Sequence, residues 1–204
     1  YVFRHETMKK YSNAIYSAVI DSFSHLPVMA KHNKILLLHG GIPENGFSLD
    51  IIKMMQKPKD IMDPGVFSDI LWSDPNPSID SFAESGRGIG HIFGKNVLIK
   101  FLKSNNLSML IRSHQVCQDG FEYPFNDGSS HSTVCLTVFS CHDYMNKGND
   151  AAVAVIKDNT NPSLQVITVS LQTFVFPQFI KEEVLDHPMI ETALLPVEIF
   201  NCVA

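Results

Sequence analysis

Two short apolar runs constrain this chain more than anything else in it. Lys34 to Gly41 reads KILLLHGG, and Leu107 to Gln115 reads LSMLIRSHQ. Each is an aliphatic stretch of strand length, rich enough in Ile and Leu to sit inside a sheet. Each then delivers a histidine, His39 in the first and His114 in the second. A chain with two such runs, separated by helical and polar segments, is expected to be α/β. Gly40 and Gly41 let the chain turn through dihedrals other residues avoid, and they leave space beside the backbone. A histidine ending a strand can present its ring to a ligand at the sheet's edge. Taken alone, such a residue is more often a hydrogen-bonded structural histidine.

The segments between the runs have their own periods. Met8, Tyr11, Ile15, Val19 and Phe23 recur every three or four positions, which predicts one amphipathic helix over Glu6 to Phe23, stopped by Pro27. Val28 to Ala30 and Lys34 to Leu38 flank the polar Lys31-His32-Asn33, a hairpin pattern. Ser48 caps a short helix running to Met55. Pro58 to Pro77 is rich in Pro, Asp and Ser and reads as mostly loop, with Val66, Phe67, Ile70, Leu71 and Trp72 turned inward. Lys95 to Lys103 is helical, with Val97, Leu98, Phe101 and Leu102 on its buried face. Strand-like runs follow at Phe121–Phe125, Val134–Ser140, Ala151–Ile156 and Leu164–Leu171, with a polar turn at Asn126 to Ser132. From about Pro177 the chain is apolar and proline-punctuated. A loosely packed C-terminus is expected there, with docking on the domain or on a partner as the alternative.

Composition excludes some classes. At 204 residues, 45% hydrophobic and 18% charged, the chain suits one large domain or a piece of a larger one. A net charge of -5 gives no electrostatic reason to expect nucleic acid or an anionic membrane as a partner. No apolar stretch reaches the ~18 residues of a spanning helix, and no signal-peptide pattern is present. The first residue is Tyr1 rather than methionine, so the natural start is expected upstream. Cys117, Cys135, Cys141 and Cys202 form no C-x-x-C pair. Free thiols in a reducing compartment follow, the cytoplasm with the nucleus as an alternative.

The polar residues gather in three loops. His39 ends the first strand. Arg87 lies in Ser85-Gly86-Arg87-Gly88, where flanking glycines let a ligand approach a fork of donors that matches phosphate oxygens. His114 follows the second long strand. Two strand-ending histidines with an arginine loop between them can converge on one sheet edge. Neutral imidazoles suit zinc, iron and manganese-type ions, but two of them make an incomplete site. Asp69 and Asp74 resemble metal carboxylates, yet their setting favours turn caps or a brace for the loop around Trp72.

At this point the sequence resembles a family. LLLHGGIP, GVFSDILWSDPNP, SGRGIGHIFG, LIRSHQVCQDGFEY and TVFSCHDYMNKGN match, in order, the second part of the catalytic domain of PPP-type serine/threonine protein phosphatases. YVFRHETMKKYSNAIY with FSHLP is similar to the helix that follows the family's Gly-Asn-His-Glu motif. The likeness covers roughly residues 1 to 175 and leaves 176 to 204 as a tail. It implies a metallophosphoesterase-type β-sandwich flanked by helices, incomplete at its N-terminus. It implies that His39 and His114 ligate one ion of a pair of divalent metals (Mn, Fe or Zn type). It also implies that Arg87 binds substrate phosphate and that Tyr144 lines the rim. The implied reaction is hydrolysis of phosphoserine and phosphothreonine in phosphoproteins by a metal-bound hydroxide, with a regulatory subunit as a further partner. In the same terms, the glycines after His39 make room for ion and phosphate.

The departures are specific. Gly-Asp-x-His-Gly, Gly-Asp-x-x-Asp-Arg-Gly and Gly-Asn-His-Glu, which supply the remaining ligands and the general acid, are nowhere in these residues. Phe82 stands where a tryptophan is common. The turn at Asn126 to Ser132 is longer than usual. Cys141-His142-Asp143 replaces Ala-Pro-Asn before Tyr144. Three readings follow: a protein phosphatase of which this chain is a part, a catalytically dead binding scaffold, and a phosphoesterase acting on small phosphomonoesters. Joint retention of His39, Arg87 and His114 weighs against a decayed scaffold. The lack of a Gly-His-x-His pair weighs against the small-molecule enzyme.

Overall fold

The structure is a computed structural model and describes residues 2–58, 62–129, 131, 133–157, 163–169 and 198–200. Its centre is a six-stranded mixed sheet. β1 (Met29–His32) and β2 (Ile35–Leu38) form the expected hairpin, turned at Asn33 with φ 53°. β6 (Met109–Arg112) lies parallel to β2, and β8 (Cys135–Val138) lies parallel to β6. β7 (Phe121–Glu122) closes one edge, antiparallel to β8. β11 (Glu198–Phe200) closes the other, antiparallel to β1. That small part of the tail docks on the domain rather than packing loosely. The rest of the tail, 176–197 and 201–204, lies outside the described residues.

Register explains why the sheet buries both faces. Leu36, Leu110 and Cys135 stand in one row across β2, β6 and β8, and Leu37, Ile111 and Leu136 stand in the next. Successive residues of a strand point to opposite faces. The first row packs with helices α3 (Leu49–Met54), α4 (Val66–Trp72) and α5 (Lys95–Ser104), through Ile52, Ile70, Leu98 and Phe101. The second row packs with Ala154 and Ile156 of β9 (Ala151–Lys157), which pairs antiparallel with β10 (Ser163–Val169). Helices on one face and a second sheet on the other give the expected β-sandwich flanked by helices.

Two expectations need correction. The stretch Pro58 to Pro77, expected as mostly loop, contains a helix, because its apolar run Val66–Trp72 is α4. Its start is set by Ser68, whose Oγ accepts from the Gly65 N–H at 2.8 Å. Val66, Phe67 and Ile70 have helical spacing, but the run is short and lies among turn residues that mask it. The first helix is also two helices, α1 (Val2–Lys10) and α2 (Asn13–Ser24). Ser12 breaks the run by capping α2, its Oγ accepting from the Ile15 N–H at 3.2 Å. The stripe itself is present but uncovered among the described residues: Met8, Tyr11, Ile15 and Phe23 are all exposed.

A small three-stranded sheet also escaped the sequence patterns. β3 (Asp74–Pro75) runs parallel to β5 (His91–Phe93), and β4 (Phe82–Glu84) runs antiparallel to it. These strands have two or three residues each, too few for a period to show. Their importance is positional. β3 begins where α4 ends, and the β4–β5 connection carries Arg87.

Candidate functional site

Because β2, β6 and β8 are mutually parallel, their C-terminal ends lie along one edge of the sheet. β2 is followed by His39, β6 by His114, and β8 by the loop that carries Tyr144. The carboxyl ends of parallel strands are a common ligand position in α/β sheets. His39 Nε2 and His114 Nδ1 come within 3.1 Å, with ring centroids 4.9 Å apart. The two loops are also joined through the backbone, the Ser113 N–H donating to the His39 carbonyl at 3.1 Å. His114 has φ 71°, and the Gln115 N–H donates back to the Ser113 carbonyl at 2.9 Å. That is a tight three-residue turn around a left-handed histidine, a strained conformation that surrounding structure must hold. Trp72 stands edge-on to the His114 ring at 5.4 Å.

The glycines after His39 leave the expected space beside the backbone but do not take the expected dihedrals. Neither has a positive φ. A Cβ on Gly40 would lie 2.5 Å from the Leu71 carbonyl carbon, and one on Gly41 would lie 2.3 Å from the Phe93 ring and 2.9 Å from Ser73 Cβ. The space belongs to the end of α4 and to β5, which press against the β2 exit. The Gly40 N–H donates to the Ile70 carbonyl at 2.8 Å and seals that approach.

The close approach brings Asp74 and two arginines together. Arg112, the last residue of β6, is buried on the helix-facing side of the sheet. Its Nε donates to the Gly40 carbonyl at 2.7 Å and its Nη1 to Gln115 Oε1 at 2.7 Å. Its Nη2 donates to the Ser73 carbonyl at 3.2 Å and to Asp74 Oδ1 at 2.8 Å. Asp74 Oδ2 accepts from Arg87 Nε at 2.6 Å. Asp69 accepts the Glu44 N–H at 3.1 Å and lies 2.8 Å from His91 Nδ1. Both aspartates therefore fix the α4 end, as their setting suggested.

Sequence reasoning missed Arg112 and His91. The one available signal for Arg112 was its place in the alternating buried row two residues after Leu110. His91 carried no signal, since β5 is too short to reveal a period.

Burial, and then the Arg112 charge, push the His39 imidazole below its ordinary range. Burial, and then Arg87, push His114 down to about 4. Asp74 opposes both shifts. Both rings are therefore neutral near pH 7, with lone pairs available. His114 Nε2 is buried without a hydrogen-bond partner.

The pair fits two ligands of one divalent ion. Imidazole nitrogens bind such ions at about 2.0–2.1 Å, so adjacent ligands at a right angle stand about 3 Å apart. A complete centre is not present: no group of three His, Cys, Asp or Glu side chains could hold a metal among the described residues. Tyr144 stands at a tight turn in which Met145 and Asn146 have φ 54° and 59°, with its ring against Phe139 at 5.4 Å and Lys147 Nζ 6.0 Å from the ring centroid. The structure thus clusters His39, His114 and Arg87 around Asp74 and holds Tyr144 through Phe139 and Lys147 on a separate loop.

The chain belongs to the calcineurin-like phosphoesterase family, matching it over residues 3–118. Members of that family depend on divalent metals.

Its relatives are more particular. The chain is 36% identical over 161 residues to a protein phosphatase 2A catalytic subunit of Dictyostelium discoideum, covering 78% of this chain and 50% of that protein. It is 36% identical over 174 residues to the serine/threonine-protein phosphatase PP2A-like PPG1 of Candida albicans, covering 80% and 40%. A solved protein serine/threonine phosphatase from Saccharomyces cerevisiae, with similarity to human phosphatase PP5, aligns with a TM-score of 0.71 at 26% identity, over 86% of this chain and 56% of that one. The chain spans about half the length of the proteins it matches.

Proposed function

We propose that this chain supplies one side of the active site of a metal-dependent protein serine/threonine phosphatase. The observation that carries the reading is the 3.1 Å approach of His39 Nε2 and His114 Nδ1 beside the Asp74-tethered Arg87. In this reading the two imidazoles hold one ion of a Mn, Fe or Zn-type pair. Arg87 grips two phosphate oxygens with its guanidinium fork. Tyr144 lines the rim over which a phosphoserine or phosphothreonine segment enters. When bound, the ions withdraw electron density from the phosphoryl oxygens and lower the pKa of water. The remaining ligands and the proton donor for the departing serine or threonine oxygen come from chain beyond these residues. A regulatory subunit fits the likeness to phosphatase 2A.

The test is to express residues 1–204 alone and also together with the coding sequence upstream of Tyr1, then assay each on a phosphopeptide with added manganese. The extended chain hydrolyses the ester and residues 1–204 do not. Equal activity in both would place the chemistry wholly within these residues and overturn the assignment. An extended chain that binds metal but turns nothing over would favour the scaffold.

A further inference from the structure

We propose that Asp74 is a positioning residue that presents Arg87 to the substrate phosphate, with Arg112 as its buried anchor. This deepens the phosphatase reading and rests on it. Three charges run outward from the core. The Arg112 side chain is 0% exposed, that of Asp74 9%, and that of Arg87 37%. Each Asp74 oxygen accepts from one guanidinium, Oδ1 from Arg112 and Oδ2 from Arg87. Arg112 is held in place by three further bonds, to the Gly40 and Ser73 carbonyls and to Gln115, one from each surrounding loop. Asp74 is therefore fixed from the core side, and its free oxygen defines where Arg87 stands.

Arg87 needs that help. It lies between Gly86 and Gly88, and a Cβ at either glycine would meet nothing within 4 Å. A long side chain on so open a loop has many rotamers, and ordering it on ligand binding opposes affinity. A tether at Nε orders it beforehand. The choice of nitrogen matters as well. Among the described residues the hydrogen bonds of the Arg87 side chain end at Asp74, so Nη1 and Nη2 remain for a phosphate, and their parallel N–H bonds suit two oxygens. Two guanidiniums against one carboxylate also leave one excess positive charge. That balance favours a dianionic phosphate ester.

Two readouts, both on the chain with its upstream coding sequence and loaded with diamagnetic zinc, separate this proposal from the reading beneath it. The first is the Arg87 Nε–H signal in a nitrogen–proton spectrum, assigned by its loss in Arg87→Lys. It exchanges slowly with water in the wild type and collapses in Asp74→Asn. The second is affinity for inorganic phosphate. It falls about ten- to a hundredfold in Asp74→Asn and in Arg87→Lys, the range for one charge-assisted hydrogen bond. The double variant binds no more weakly than Arg87→Lys, because Asp74 acts through Arg87. An Arg87 Nε–H that exchanges as fast as exposed arginines in the wild type overturns the proposal, even if Asp74→Asn fails to fold. Losses that multiply in the double variant overturn it too. Absence of phosphate affinity with the tether intact overturns the phosphatase reading and this proposal with it.

Discussion

Replacing Gly40 with alanine should be far more damaging than its size suggests. The added methyl would lie 2.5 Å from the Leu71 carbonyl carbon, 2.6 Å from the Trp72 nitrogen and 2.7 Å from the Leu71 oxygen. Carbon contacts settle near 3.5–4.0 Å, so the shortfall is about 1 Å. All three neighbours are backbone atoms at the end of a helix, and none can swing aside. Either α4 or the β2 exit must move, and the Gly40 to Ile70 hydrogen bond lengthens with it. Overpacking costs typically about 1–3 kcal/mol, and a weakened buried hydrogen bond adds about 1 kcal/mol. A total of about 3 kcal/mol lowers the Tm by about 6–12 °C in a domain of this size. Thermal melts by circular dichroism measure it. The control is Gly86→Ala, where a Cβ meets nothing within 4 Å and φ is not positive; it should stay within about 1 kcal/mol of wild type. Trp72, the chain's single tryptophan, reports the displacement directly, because the shift moves it against His114 and changes its fluorescence. A Gly40→Ala protein with wild-type Tm and emission would refute the close-approach account of the glycine pair.

Other expectations follow from the same contacts. In the complete enzyme, Arg87→Lys keeps the charge but loses the fork and the Nε tether, so phosphate-ester turnover falls by about 1.5–3 kcal/mol while metal content stays unchanged; steady-state kinetics with metal analysis checks both. Leu110→Ala removes a fully buried side chain from the helix-facing row, and denaturant titration should show a loss of about 2–5 kcal/mol. Burial pushes the Cys117 thiol up to about 11 and the Cys135 thiol up to about 12, from an ordinary 9.0. Alkylation at pH 8 followed by peptide mapping should therefore mark the exposed Cys141 and spare those two. The same shifts set a sign for stability. Between about pH 9 and 12 the unfolded thiols lose protons that the folded ones keep, so stability falls as pH rises through that window. Melts of Cys135→Ala over the same range should fall less steeply than wild type, and an equal slope would remove Cys135 as a cause.

Much of the framework was legible because it is local. The β1–β2 hairpin, the Ser48-capped α3 and the apolar face of α5 each follow from residues within a few positions of one another, which is the range over which period and capping operate. The strand ends that carry His39 and His114 belong to the same class. What the sequence could not show is set by contacts between residues far apart in the chain. His39 and His114 are 75 residues apart and meet at 3.1 Å, and Arg112 reaches the Gly40 carbonyl across 72. Gly40 was expected to adopt dihedrals that other residues avoid, but it is small because a helix whose sequence hides among turn residues crosses against it. Arg112 drew no expectation, but parallel pairing of β2 with β6 places it beneath two loops at once. Local composition determined which strands end on ligand-type side chains. Only the packing of α4 and the small β3–β5 sheet onto that edge decided that Asp74 would join the two arginines, because a carboxylate's partners depend on which chain segments the core draws together.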